Sequence, residues 1–184
     1  MYFEKRWAKS GIPIVFDFDD AIWKNDTSEA NRLFAWLKKP EKIQCTIAAS
    51  ACVWAGNDLL KSYALQFNPN VIRIPITIDT ERYRSVTKVQ IEDVLTIGWS
   101  GSITTIKHFN SGIPALLAIK ENYRDKARFV VIGDPFYRHP ALAIIGQAWN
   151  AETEPEDLSG MDIGIMPLPN DECTRGKCGL KGLQ

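Results

Sequence analysis

Short apolar runs recur along the chain, and most of them stop at Gly, Asp or Pro. Segments with helical spacing lie between several of them. This alternation constrains the fold more than any other feature. Ile14–Phe16, Cys52–Ala55, Val71–Ile74, Val94–Trp99, Arg128–Ile132 and Asp162–Met166 are rich in β-branched and aromatic residues and predict strands. Helices are predicted over Ser28–Lys38, over Asp58–Phe67 with Asn57 as its cap, from Thr104 or Thr105 towards Asn122, and around Ala141–Gln147. Strands that alternate with helices in this way build βαβ units and parallel sheets. The polar stretch ITIDTERYRSVTKVQIED, without a clear period, divides the alternation in two.

The chain has 184 residues and a formal net charge of zero. That balance gives no reason to expect a nucleic-acid partner. The basic start MYFEKRWAKSG has no apolar region behind it and does not read as a signal peptide. Cys45, Cys52, Cys173 and Cys178 form no C-x-x-C pair, so a reduced, cytoplasmic chain is expected. Zinc at Cys173 and Cys178 lacks a histidine or second cysteine pair to complete it. His108 and His139, the only histidines, stand in no recognisable hydrolase motif. The chain stops soon after what reads as a helix start, and each half holds few strands. The expectation is therefore a piece of a longer protein.

Three stretches carry candidate chemistry. In IPIVFDFDDAIW a strand runs into Asp17, Asp19 and Asp20, at the end of a strand where open α/β sheets receive ligands. Solvated caps of the next element are the plain alternative for these acids. An Asp-x-Asp phosphatase of the haloacid dehalogenase type is another reading. It fails because Asp20-Ala21 replace the Gly-Thr that should follow, and because Arg138 stands where a second acid should follow Asp134. In TIGWSGSITT the small residues Ser100, Gly101 and Ser102 precede a helix start at Thr104-Thr105, which suits a phosphate. In DIGIMPLPNDECTRGKCGLKGLQ the cations Arg175, Lys177 and Lys181 stand among glycines, which suits a pyrophosphate. A tight turn and an exposed basic loop are the respective plain readings.

The order of IPIVFDFDDAIW, CVWAGNDLLKSYA, NVIRIPITIDTERY, LTIGWSGSITT, RFVVIGD and DIGIMPLPNDECTRGKCGLKGLQ resembles retaining nucleotide-sugar glycosyltransferases of the GT-B type, family 4. The resemblance spans nearly the whole chain. It implies an α/β fold containing portions of two Rossmann-like domains with parallel sheets. Residues 1–80 would be the last part of the acceptor domain, 81–92 the linker, and 93–184 the first part of the donor domain. It implies a nucleotide-sugar donor, a glycan or other acceptor, no metal and no further cofactor, and leaves room for peripheral membrane association of the parent.

By the same resemblance Asp19 and Asp20 take the positions of a His-Asp pair, and Asp17, Asp19 and Asp20 are the expected catalytic carboxylates. Ser100, Gly101, Ser102 and Thr105 would face the donor diphosphate. Gly133 and Asp134 would lie near the base or ribose, and Arg175, Lys177 and Lys181 near the phosphates. The family's Glu pair is replaced by Gly176 and Gln184. The rival expectation is a non-catalytic nucleotide-binding remnant.

Overall fold

The computed structural model describes residues 6, 10–24, 41–84 and 93–184. The helix expected over Ser28–Lys38 and residues 85–92 of the expected linker lie outside them. The described chain is α/β, with two parallel sheets. It divides into two compact units, Met1–Ile76 with Asn170–Gly179, and Thr77–Pro169 with Leu180–Gln184. The segment 170–179, grouped with the second half by the sequence pattern, thus belongs to the first unit.

In the first unit, β1 (Val15–Phe18), β2 (Cys52–Ala55) and β3 (Val71–Arg73) form a parallel sheet in that order. Helix α1 (Glu41–Ala49) precedes β2, and α2 (Asp58–Ala64) follows it. Ile43 and Ile47 are four residues apart, so both turn to one side of α1, where Ile47 is fully buried. Val53 and Ala55 alternate inwards from β2, while Leu60 and Ala64, four residues apart, share the buried face of α2. Asn57 caps α2 as its sequence predicts, its Oδ1 accepting from Leu60 N at 2.9 Å. Asn68 is buried, and its Nδ2 donates to the carbonyls of Ile47 and Ser50 at 2.9 and 2.7 Å. It thereby satisfies acceptors at and just beyond the end of α1, where a helix leaves its last carbonyls unpaired.

In the second unit, β4 (Leu95–Ser100) lies between β5 (Ala127–Ile132) and β8 (Ile163–Gly164), all parallel. The parallel arrangement predicted for these three runs is the observed one. Thr96 to Ser100 are all buried, which explains why the run reads as continuous rather than alternating. Two helices follow β4, α3 (Ile106–Ser111) and α4 (Ile113–Tyr123), preceded by a 3-10 turn at Ile103–Thr105. A single helix to Asn122 was expected. The break falls at Gly112, just before Pro114 in the first turn of α4. Proline cannot continue the α3 ladder because it has no N–H to donate.

The helix expected at Ala141–Gln147 is also absent. A 3-10 turn at Pro140–Leu142 leads through Ala143 in a left-handed conformation, with φ 53. A short antiparallel ribbon joins β6 (Arg138–His139) to β7 (Ile144–Ile145). Gln147 N then donates to Val131 O at 2.9 Å, and Gly133 N to Gln147 O at 2.8 Å, so this stretch runs beside β5. Backbone pairing to β5 outweighs the mild helical spacing of the alanines. Helix α5 (Glu154–Ser159) completes the unit. Ile97, Trp99, Phe109, Leu116, Phe129, Val131, Leu142 and Ile144 form its core. Among the described residues no helix is long and apolar enough to cross a membrane.

Candidate functional site

In the first unit the acids divide. Asp17 lies within β1, exposed and in register with Trp54, while its neighbour Phe18 turns into the core. Asp19 and Asp20 follow the strand. Lys177 Nζ stands 3.4 Å from Asp20 Oδ1, so the charge expected to serve phosphates faces a carboxylate instead. The Cys178 thiol donates to Asp19 O at 3.1 Å. Burial, then the charges of Asp19 and Asp20, push that thiol above its ordinary value. Asn57 Nδ2 donates to Gly176 O at 2.9 Å, so one asparagine both caps α2 and holds the 176–178 loop. Arg175 closes a one-turn helix, Glu172–Arg175, and its Nε donates to Asn170 Oδ1 at 2.9 Å.

The second unit holds a cavity of about 830 Å³ at the carboxyl ends of β4 and β5. That is ligand-sized, and open parallel sheets bind at this end. Ser100, Gly101, Ser102 and Thr105 line it, as does Gly133; Asp134 is not among the lining residues, although Pro135 is. Asp134 instead uses Oδ1 to accept from Phe136 N at 2.9 Å, shaping the turn. Lys181 also lines the cavity, so of the three cations grouped by sequence it belongs here, whereas Arg175 and Lys177 belong to the first unit.

Two glycines bring the floor together. Gly101 N donates to Ile132 O at 2.9 Å. Gly133 has φ 125, and a Cβ there would lie 1.8 Å from Gly101 O. Only glycine fits such a conformation at such an approach. Ser100 is 7% exposed, and its Oγ has no hydrogen-bond partner among the described residues. A buried hydroxyl without a partner costs free energy unless a ligand or water meets it. The Ser102–Thr105 turn is closed on itself: Ser102 N donates to Thr105 Oγ1 at 2.9 Å, and Thr105 N to Ser102 O at 2.9 Å. This short turn thus meets its own hydrogen bonds, whereas the buried Ser100 Oγ meets none.

The remaining wall was not legible as a site. Tyr83 OH donates to Glu154 Oε2, and Trp149 Nε1 donates to Glu154 Oε1 at 2.9 Å. Gln184 Nε2 donates to Tyr83 OH at 3.0 Å, and all four residues line the cavity. Burial alone would raise the Glu154 carboxyl. The donations from Tyr83 and Trp149, with the charges of Lys181 and Arg82, outweigh burial and hold it below its ordinary value. Tyr83 is raised in turn, first by its bond to Glu154 and then by burial. Burial lowers Lys181, which stands 5.9 Å from the centre of the Trp99 ring, and Glu154 opposes that shift. The one sequence signal for this wall was Trp149, an aromatic in the polar run GQAWNAETEPED.

The Glu154 network carries a pH dependence. A carboxyl lowered on folding contributes stability above its unfolded value, and loses it as pH falls through the lowered folded value. Wild type should therefore melt above Glu154→Gln at pH 7. The gap should close as acidification passes below the ordinary value of 4.5. Melting curves of both proteins from pH 7 to about pH 3 check this, and a gap that persists at the acid end would refute it.

Compared with known proteins, the chain matches no family model, and no curated protein matches it.

Proposed function

We propose that the chain is part of a GT-B glycosyltransferase of retaining type, and that the cavity of its second unit receives the diphosphate of a nucleotide-sugar donor. The observation that carries this reading is that Ser100, whose buried Oγ has no partner, and Lys181 both belong to the lining of one cavity at the ends of parallel strands. A departing nucleoside diphosphate gains negative charge as its bond to the sugar breaks. Fixed donors that meet this charge lower the barrier. The sugar carbon then bonds to the acceptor oxygen, and the acceptor proton leaves. Asp19 and Asp20, after the end of β1, are assigned to handle that proton. Asp17, exposed within β1, stands beside them as the third carboxylate of this stretch.

The test is calorimetric titration of the 184-residue chain with UDP and GDP, beside Lys181→Ala. The substitution should weaken nucleoside diphosphate binding by about tenfold or more, the scale of a hydrogen bond to a charged group. Equal affinity in both proteins would overturn the assignment of Lys181, and no binding to wild type would overturn the reading itself. One observation favours a second reading. The cavity is lined by second-unit residues, while Lys177 faces Asp20 in the first. A binding remnant without catalysis would keep this cavity. It would bind nucleotide and show no sugar transfer.

A further inference from the structure

Trp149 is 48% exposed, a large apolar side chain left at the surface, and it lines the cavity. Its edge is spoken for. The ring N–H donates to Glu154 Oε1 at 2.9 Å, Glu154 accepts from Tyr83, and Tyr83 accepts from Gln184 at 3.0 Å. This chain of bonds fixes the indole plane. No aromatic ring among the described residues packs on its faces. An indole bonded by its edge, half-exposed and in the lining of a ligand-sized space, is the arrangement that stacks a flat ring.

The lining offers the Trp149 ring with its bonded carboxylate on one stretch of chain and the cation Lys181 on another, and Lys181 and Glu154 lie near enough for each to act on the other's charge. A flat ring is the part of a ligand that the indole meets without competing for either charge. We propose that Trp149 is a stacking platform for the nucleobase of the bound nucleotide, with Glu154 as the residue that positions it. This rests on the nucleotide reading of the cavity and names the part of the nucleotide that its wall receives. Stacking reads a π face, which purines and pyrimidines share. The platform therefore accepts uracil and guanine alike, and it does not select the donor.

The experiment is calorimetric titration of the whole chain with UDP, GDP and inorganic pyrophosphate, for wild type, Trp149→Ala and Trp149→Phe. Trp149→Ala should weaken UDP and GDP by about tenfold and leave pyrophosphate unchanged. Trp149→Phe, which keeps a ring but loses the N–H, should restore most of the lost affinity. Urea unfolding midpoints of the three proteins confirm that each is folded. If UDP and GDP bind Trp149→Ala as they bind wild type, the platform is wrong and the nucleotide reading stands. If pyrophosphate weakens as much as UDP, Trp149 only shapes the cavity and the platform is again wrong. If wild type binds pyrophosphate but gains nothing from a nucleoside, both the platform and the nucleotide reading fall.

Discussion

Gly133→Ala should destabilise the second unit by at least about 3 kcal/mol, among the largest effects open to one added methyl group. Two costs coincide. A φ of 125 is a conformation that L side chains rarely adopt, and the new Cβ would sit 1.8 Å from the carbonyl oxygen of Gly101. That neighbour is backbone held by the Gly101 N–H to Ile132 O bond, and Gly133 itself is held by its N–H to Gln147 O. It cannot turn aside as a side-chain tip would. Gly101 and Gly133 both line the cavity, so whatever movement relieves the clash also reshapes the site, and UDP affinity should fall with stability. The control is Gly164→Ala on β8, where nothing lies within 4 Å of the added carbon. It should stay within about 0.5 kcal/mol of wild type. Urea unfolding of the three proteins measures this. Equal midpoints for Gly133→Ala and Gly164→Ala would show that the close approach carries no weight.

Phe109→Ala should cost about 3–5 kcal/mol. The side chain is 1% exposed at the centre of the second core, with ring centroids 5.6 Å from both Trp99 and Tyr137. Removing it leaves a void that α3 and β4 can close only in part. It also loses two aromatic pairings, each worth about 0.5–1.5 kcal/mol beyond area. In a unit of this size the melting temperature should drop by more than about 10 °C. Phe109→Leu, which refills most of the space, should lose less than half as much. Trp99 also stands beneath Lys181, so the Ala variant should weaken anion binding through a residue that touches no ligand. A melting temperature within two or three degrees of wild type would mean the ring is not the centre of this core.

The sequence was most legible where one local pattern decided the outcome. Cys52–Ala55, Leu95–Ser100 and Ala127–Ile132 are strands because most of their apolar, β-branched or aromatic residues are buried, and Asn57 is a cap because its side chain bonds three residues ahead. Where local pattern and tertiary pairing disagreed, pairing won. Ala141–Gln147 offered helical spacing, but β6 and the edge of β5 offered backbone partners. Glu154–Ser159 was hidden because EPEDLS buries nothing and so shows no apolar period. The candidate site was legible only along its glycine-rich loop. Tyr83, Trp149, Glu154 and Gln184 meet across separations of up to 101 residues, and no spacing rule reaches that far. The cations were read as one group because they are neighbours in sequence, yet the chain passes from one unit to the other between Gly179 and Leu180.

That passage has a consequence for biosynthesis. Domains generally fold in the order in which the ribosome delivers them. Here neither unit can be finished until the chain is nearly complete, since the first takes residues 170–179 and the second takes 180–184. Asn57 waits for Gly176, 119 residues downstream, and all of β4 to β8 is made in between. Until residue 176 has been synthesised, the Asn57 amide must satisfy itself with water. The later-made strands β4 and β5 meanwhile meet across a gap of only 32 residues, Leu95 to Ala127. A nascent chain of this kind can pair its strands early in both units, but the 176–178 loop held by Asn57 and the cavity wall at Lys181 and Gln184 are both added only with its last residues.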